Sequence, residues 1–166
     1  AVEQHLANIT IRLYNATNGT MTLLYENVSK NTSFAFNYSL ADGIYFFNAT
    51  VSDRAGNLNQ TPTRNATIDA HNPAVTIYSP TNITYLTLPI AFNVSLQENG
   101  SVIYSLDGGI NNVSMWRNAS GRGFNVTNES LADGTYNFSV YANDTLGNKN
   151  YSTVRVFTLD ANLPLI

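Results

Sequence analysis

One six-residue stretch decides the fold, because the chain contains it twice. It reads Leu-Ala-Asp-Gly-Ile-Tyr at residues 40–45 and Leu-Ala-Asp-Gly-Thr-Tyr at residues 131–136, an offset of 91 residues. The same offset continues downstream without a gap. The residues that it aligns include Phe47 with Phe138, Asp53 with Asp144, Arg64 with Arg155 and Pro73 with Pro164. A period of about 90 residues is too long for a solenoid repeat and matches a small independent domain, so the sequence predicts two tandem domains.

Apolar residues within each repeat recur at every second position. This spacing occurs at residues 9–13, 34–40, 92–96 and 136–142, and it is typical of half-buried antiparallel strands. Asn-Gly and Asp-Gly pairs separate these segments, and no stretch of ten residues has the pattern of an amphipathic helix. Short strands at regular intervals in a unit of about 90 residues predict an all-β fold, a β-sandwich with Greek-key connections.

On these motifs the chain resembles the immunoglobulin-like repeats of archaeal and bacterial cell-surface proteins. The resemblance rests on the Leu-Ala-Asp-Gly-x-Tyr stretch, on Asp-x-x-Gly-Asn at residues 53–57 and 144–148, and on strands that end at residues 67–69 and 158–160. It covers nearly the whole chain. It implies two tandem Ig-like antiparallel β-sandwich domains, and a role as a spacer, stalk, surface-layer component or adhesin module without shared catalytic residues.

The 91-residue offset also predicts the domain boundaries. We expect residues 1–71 to form an Ig-like sandwich that lacks its opening strand or strands, and residues 72–162 to form a complete one. The second repeat opens with strands at residues 75–79 and 90–96, whose counterparts would precede residue 1 and leave at most residues 2–6 as a remnant. Residues 163–166 are expected to begin a further strand or a linker.

An incomplete sandwich exposes apolar core and unpaired backbone groups, which strand addition from another chain relieves. We therefore predict that Leu163, Pro164, Leu165 and Ile166 pair with the first domain of the next copy, head to tail, in an open filament. The alternative is that the missing strands lie in the same polypeptide, in a longer tandem array. In both cases the repeated contact is end to end, between copies of the same module.

Nineteen asparagines stand in Asn-x-Ser/Thr motifs whose middle residue is not proline, which is the acceptor pattern for N-glycans. They are Asn8, Asn15, Asn18, Asn27, Asn31, Asn37, Asn48, Asn59, Asn65, Asn82, Asn93, Asn99, Asn112, Asn118, Asn125, Asn128, Asn137, Asn143 and Asn150. Random placement of 24 Asn among 31 Ser plus Thr gives only about four or five such motifs. The excess predicts covalent N-linked glycans and an extracellular or cell-surface location.

A simpler interpretation is that these motifs are only a polar stripe, because the wet face of a strand also alternates polar with apolar residues. Asn is depleted in strands, however, and an ordinary outer face takes Thr, Lys or Glu. Strand positions i and i+2 share a face, so a motif whose middle residue points inward presents its Asn outward. We therefore expect glycans on mid-strand residues as well, including Asn48, Asn93 and Asn137.

Charge excludes several classes of function. Charged residues make up 11% of the chain, less than half of the usual share of about 25%. The net charge of −3 with only eight Lys plus Arg gives no basic patch for nucleic acid. No apolar run approaches the roughly 18 residues of a membrane-spanning helix. We expect glycans to replace charge as the solubilising layer.

The candidates for chemistry are few. The absence of cysteine excludes disulfides, thiolate metal sites and thiol nucleophiles. His5 and His71 have no clustered carboxylate, so we expect no catalytic residue. The Asp and Asn of segments 53–57 and 144–148 offer oxygen ligands for calcium, but two per loop are too few. We therefore expect no metal site and no cofactor.

The sequence thus predicts a structural subunit of a heavily N-glycosylated extracellular filament, surface layer or stalk, assembled end to end. The alternative is an adhesin-type binding module that presents loops to a sugar or protein partner. Its nearest candidate loop is the segment 116–124, which contains two Gly and two Arg. We interpret Trp116 and the ten tyrosines as residues that fill the core or cover a sheet edge rather than bind sugar.

Overall fold

The computed structural model describes residues 5–162, and every regular element among them is a β-strand. The predicted all-β fold class is confirmed. The chain divides into two compact units, Ala1–Ala70 and His71–Ile166. Residues Leu163 to Ile166, which the sequence assigns to assembly, lie outside the described residues.

The described residues of the first unit, 5–70, form a single antiparallel sheet. Its strands are β1 (Leu6–Thr17), β2 (Thr20–Ser29), β3 (Gly43–Asp53), β4 (Leu58–Gln60) and β5 (Arg64–Ile68). The strand order is β2-β1-β3-β4, and β5 also pairs with β3. Asn18 and Gly19 join β1 to β2 with φ values of 51° and 79°, because a two-residue hairpin turn of this kind requires positive φ at both positions.

Between residues 71 and 162, the second unit contains ten strands in two sheets. They are β6 (Val75–Ser79), β7 (Thr84–Tyr85), β8 (Ile90–Leu96), β9 (Gly100–Ser105), β10 (Val113–Ser114), β11 (Trp116–Arg117), β12 (Gly123–Asn128), β13 (Gly134–Asp144), β14 (Lys149–Tyr151) and β15 (Arg155–Leu159). One sheet has the order β10-β9-β13-β15-β7, with β14 also on β13, and the other has the order β11-β12-β8-β6.

Aromatic rings fill the space between the two sheets of the second unit. Phe92 of β8 lies 5.1 Å from Phe138 of β13 and 5.9 Å from Phe157 of β15, measured between ring centroids. All three side chains are fully buried. The period-two pattern of β8 places its apolar residues on this inner face, as a sandwich core requires.

The repeat seen in the sequence is also a repeat of structure. Strands β3, β4 and β5 recur as β13, β14 and β15, and every strand boundary is shifted by 91 residues. The Tyr45 hydroxyl donates to the Ala41 carbonyl oxygen at 3.0 Å, and the Tyr136 hydroxyl donates to the Ala132 carbonyl oxygen at 2.7 Å. This contact is the tyrosine corner of Ig-like sandwiches, and it explains why the Leu-Ala-Asp-Gly-x-Tyr stretch occurs in both repeats.

The aspartate of the repeated stretch reaches the end of the last strand. Asp42 Oδ1 accepts a hydrogen bond from the Ala70 backbone N–H at 3.0 Å, and Asp133 Oδ1 accepts one from Ala161 at 2.8 Å. An Asp-Gly pair commonly holds its own turn, through a hydrogen bond that the Asp side chain accepts from the backbone. The carboxylates of Asp42 and Asp133 instead connect segments that are 28 residues apart.

The strand predicted at residues 34–40 is not formed, since this segment has no regular secondary structure. The 91-residue offset maps it onto the region of β12, which pairs with β8. The 91-residue offset places the counterpart of β8 at or before residue 5, so residues 6–70 offer no such partner. A strand needs a neighbour for its backbone groups. Phe36 and Tyr38 instead pack on Tyr25, with ring centroids 5.0 Å apart in each case.

One face of the first sheet is open within the described residues. Phe47 is 37% exposed, whereas its counterpart Phe138 is 0% exposed. Ile11, Phe47 and Ala49 line a groove of about 430 Å³ on this face. In the second unit the sheet that contains β8 covers the equivalent positions.

Candidate functional site: the asparagine-rich surface

The predicted glycan acceptors lie mostly on the surface. Of the 19 motif asparagines, 13 are exposed, five are half-buried and one is buried. The exposed ones are Asn18, Asn31, Asn37, Asn59, Asn65, Asn82, Asn93, Asn99, Asn112, Asn118, Asn125, Asn137 and Asn143. The half-buried ones are Asn8, Asn15, Asn27, Asn128 and Asn150. Both units therefore carry accessible motifs, in turns and on strands.

In the second unit, the asparagines of mid-strand motifs lie on the outer face and the middle residues of these motifs lie on the inner face. Asn93 is exposed while Val94 is buried, and Asn137 is exposed while Phe138 is buried. The alternation arises because successive side chains of a strand point to opposite faces of the sheet. The outer faces of both sheets of this sandwich thus present acceptor asparagines to solvent.

Asn48 departs from this pattern, because its side chain is only 8% exposed. Its Nδ2, the atom that a glycan would take, donates to Thr63 Oγ1 at 3.0 Å. Thr63 belongs to the connection between β4 and β5, which both pair with β3. The connection covers the middle of β3, so the structure offers a glycosyltransferase little access to Asn48.

In two motifs of the second unit the asparagine bends towards its own hydroxyl residue. Asn118 Oδ1 accepts hydrogen bonds from the Ser120 backbone N–H at 3.1 Å and from Ser120 Oγ at 2.6 Å. Asn128 Oδ1 accepts one from the Ser130 backbone N–H at 3.0 Å. These are Asx turns. In each turn the amide oxygen of the asparagine accepts the bonds named here, and the residues of the motif form the turn.

Two acceptors lie directly opposite each other on neighbouring strands. Asn93 of β8 and Asn125 of β12 are register partners, and both are exposed. Directly opposed side chains have Cβ atoms about 5 Å apart. Glycans on both residues would compete for the same space. The sequence gives no sign of this pairing, because 32 residues separate the two positions.

The aspartate corners satisfy their carboxylates internally. Asp144 Oδ1 accepts hydrogen bonds from the backbone N–H groups of Leu146, Gly147 and Asn148, and its Oδ2 accepts one from Asn148 Nδ2. Burial alone raises the pKa of Asp144, but these hydrogen bonds lower it overall. Gly147 has a φ of 97°, which glycine adopts at little cost. Asn148 thus contributes two donors to this corner, its backbone N–H and its amide nitrogen.

Asp107 forms a third corner of the same kind. Its Oδ1 accepts hydrogen bonds from the Asn111 backbone N–H at 2.9 Å and from Ser105 Oγ at 2.6 Å. The bond from the Asn111 backbone, followed by those from Ser105 and the Asn111 side chain, lowers the pKa of Asp107 to about 2. The spacing of Asp to Asn, four residues, is the same as in the two predicted corners, so the motif could have been found from the sequence.

The two histidines lie in different units, His5 just before β1 and His71 before β6. The His5 carbonyl oxygen accepts a hydrogen bond from the Arg54 backbone N–H at 2.8 Å. Within residues 5–162, no helix is long and apolar enough to span a membrane.

The position of Trp116 differs from the one expected, in which its side chain fills the core or covers a sheet edge. It lies on the edge strand β11 and is 77% exposed. Its register partner is Asn125. The strand pattern alone did not reveal this, because β11 is only two residues long.

The fold and its asparagine-rich surface define an immunoglobulin-like module of an extracellular or cell-surface protein. Residues 4–70, in the first unit, match the family described as Bacterial Ig-like domain. The chain is also 29% identical over 161 residues to Halomucin of Haloquadratum walsbyi. That match covers 89% of this chain and 2% of Halomucin, so the chain spans a small part of this relative.

Solved structures with a similar arrangement include two bacterial proteins. The fibronectin(III)-like modules of CbhA from Clostridium thermocellum share 17% identity, with 96% of this chain and 80% of that chain covered and a TM-score of 0.43. A 1.5-MDa bacterial ice-binding adhesin shares 14% identity, with 95% and 55% covered and a TM-score of 0.36. The predicted resemblance to Ig-like repeats of cell-surface proteins is confirmed by the family match.

Proposed function

We propose that this chain is a structural part of a heavily N-glycosylated extracellular filament, surface layer or stalk. The observation that carries the proposal is the placement of the acceptor motifs, because 13 of 19 motif asparagines are exposed. They lie on both units and on the outer faces of the sandwich. A glycan coat at these positions covers a sheet surface that has few charges, and it shields strand edges from other chains.

A structural role also fits the chemistry of the described residues. The three Asp corners use their carboxylates to hold loops, through short hydrogen bonds to backbone and Asn donors. A carboxylate that is fixed in this way has a lowered pKa, which does not suit a general acid or base at neutral pH. We therefore propose no catalytic activity for the chain.

For assembly we propose an end-to-end contact that covers the open face of the first unit. The apolar face at Ile11, Phe47 and Ala49 supports this, since Phe138, the counterpart of Phe47, is fully buried by a second sheet. In the head-to-tail version, Leu163 to Ile166 of one copy pair with the first unit of the next. In the tandem-array version, the covering strands belong to the same polypeptide.

One observation favours the second candidate function, an adhesin-type module that binds sugar. Trp116, at the start of the candidate loop, is largely exposed. Exposed aromatic rings are common in binding sites where one face is apolar and one edge is wet.

The intact mass of the protein from its native source tests the glycan coat. We expect a mass well above that of the bare polypeptide, which falls to the polypeptide mass after chemical deglycosylation. Mapping of glycopeptides should find modification at most exposed motifs. Modification of fewer than about a third of the 19 motifs would favour the polar-stripe interpretation instead.

A further inference from the structure

Trp116 is a large exposed aromatic residue on the surface of the second unit. It is the only tryptophan in the chain, and 77% of it is exposed. Tryptophan combines a large apolar face with a polar N–H edge, which suits an interaction site where one side stays in contact with water. The neighbours of Trp116 therefore indicate what covers the indole ring.

The nearest neighbours across the sheet are two predicted glycan acceptors. Trp116 of β11 is the register partner of Asn125 of β12, and Asn125 is the register partner of Asn93 of β8. The three residues form one row on the outer face of this sheet, and all three are exposed. Adjacent members have Cβ atoms about 5 Å apart, which is close to the width of a pyranose ring.

A groove of about 370 Å³ lies beside this row. Its lining includes Asn93, Asn125, Arg122 and Tyr78. Ser95 Oγ, the hydroxyl of the Asn93 motif, donates to the Tyr78 hydroxyl oxygen at 3.3 Å. The surface around Trp116 thus combines aromatic rings with hydroxyl and amide groups, which is the chemistry that suits a carbohydrate.

We propose that Trp116 is a stacking platform for the first pyranose ring of the glycan on Asn125. This inference rests on the proposed glycosylation. The indole face contacts the apolar C–H face of the sugar, while the sugar hydroxyls remain in water. Asn125 is the closer acceptor because it lies directly opposite Trp116, whereas Asn93 is one strand further away.

The same geometry resolves the competition between the two opposed acceptors. A sugar that stacks on Trp116 extends away from Asn93, towards the edge of the sheet at β11. The ring therefore gives the Asn125 glycan a fixed direction and leaves space for a second glycan on Asn93. The sequon and its aromatic partner act together although nine residues separate them in the sequence.

Tryptophan fluorescence tests the proposal, because Trp116 is the only source of indole emission. The full chain is produced in a host that attaches N-glycans, together with the variants Asn125→Gln, Asn93→Gln and Asn112→Gln. Asn112 is an exposed acceptor and serves as the matched control. Glycopeptide mapping of each sample establishes which motifs carry sugar.

We expect the parent, Asn93→Gln and Asn112→Gln proteins to share a blue-shifted emission and a low acrylamide quenching constant. Asn125→Gln should shift the emission to the red and raise the quenching constant about twofold, because its indole ring is uncovered. If Asn125 carries sugar and its removal leaves the quenching constant unchanged, the proposal is wrong although the glycan coat stands. If Asn125 is bare while other motifs are modified, the proposal is equally overturned.

A final arm separates the attached glycan from a free saccharide. The glycan released from the native protein is added to the Asn125→Gln variant. We expect no protection of Trp116 at millimolar sugar, because the attached glycan owes its contact to its high local concentration. Saturable protection by the released glycan would overturn the Asn125 assignment and make the groove a binding site for free sugar, as in the adhesin interpretation.

Discussion

Phe47 and Phe138 occupy the same position of the two repeats, and within residues 5–162 only Phe138 is covered by a second sheet. We therefore predict that an added strand pair stabilises the first unit. Residues 71–96 are grafted in place of residues 1–5 of the full chain, in the register that the 91-residue offset gives. Burial of Phe47 and its neighbours should stabilise the unit by about 2 kcal/mol or more. Hydrogen exchange should show new protection at residues 34–38.

The control for this graft carries Phe92→Asp within the grafted segment, which places a charge where the inner face needs an aromatic ring. We expect it to remove the stabilisation and the amide protection. Equal stabilisation by both grafts would contradict the proposed face-to-face packing.

Asn48 should remain unmodified in the native protein, because its side chain is buried and its Nδ2 donates to Thr63. Asn137, an exposed mid-strand acceptor, is the matched comparison. Glycopeptide mapping should find sugar on Asn137 and none on Asn48. The Asn48→Ala variant should lose about 1 kcal/mol of unfolding free energy, because it removes the hydrogen bond to Thr63. A fully occupied Asn48 would show that modification precedes burial.

The protein should lose stability in acid. The Asn111 backbone N–H, Ser105 and the Asn111 side chain hold the pKa of Asp107 at about 2, whereas an unfolded Asp titrates near about 3.9. This carboxylate stabilises the fold fully at pH values above the pKa of the unfolded Asp. The stabilisation is lost as the pH falls towards 2, because the carboxylate of the unfolded chain binds a proton at a higher pH than that of the folded chain. Thermal unfolding is measured from pH 6 to pH 2. The unfolding temperature should decrease as the pH drops below about 4.

Asp107→Asn should flatten this profile, since it removes one titrating group. The exposed residue Glu129 gives the matched change in charge, as Glu129→Gln. We expect that control to retain the acid dependence of the parent protein. An unchanged profile in the Asp107→Asn variant would exclude this corner as a source of the pH effect.

The tyrosine corner should contribute similarly to both repeats. Tyr136→Phe removes the hydroxyl that donates to Ala132 at 2.7 Å, and Tyr45→Phe removes its counterpart to Ala41. We expect each to lower the unfolding free energy by about 1 kcal/mol, the usual net value of one such bond. Denaturant titration measures the loss, with Tyr151→Phe on an exposed strand as the control. A similar loss in that control would point to a general effect of the hydroxyl.

Phe92 should be indispensable to the second unit, because its ring contacts Phe138, Tyr104 and Phe157 across the core. Phe92→Ala leaves a cavity between the sheets and should cost about 3–5 kcal/mol. Leu86→Ala, at an exposed position, should change stability by less than about 0.5 kcal/mol. Calorimetry of both variants checks the difference.

The sequence predicted what depends on local pattern and missed what depends on distant neighbours. The alternation at residues 136–142 identified the middle of β13, because a strand with one buried face leaves that signature. The same alternation at 34–40 does not form a strand, because pairing also needs a partner. Likewise, the alternation of side chains along β3 predicts that Asn48 is exposed. The connection between β4 and β5 covers it, and the pairing of both strands with β3 determines where that connection lies.

The bond between Asp133 and Ala161 also bears on mechanical strength. The Asp133 carboxylate accepts hydrogen bonds from the backbone N–H groups of Ala161 and Asn162, the residues that follow β15 almost directly. A force that pulls the chain from that side reaches these bonds before it reaches the ladder between β15 and β13. Asp42 makes the corresponding bond to Ala70 in the first unit. Each repeat thus has a latch where tension enters, and a single carboxylate sets how readily the last strand begins to peel away.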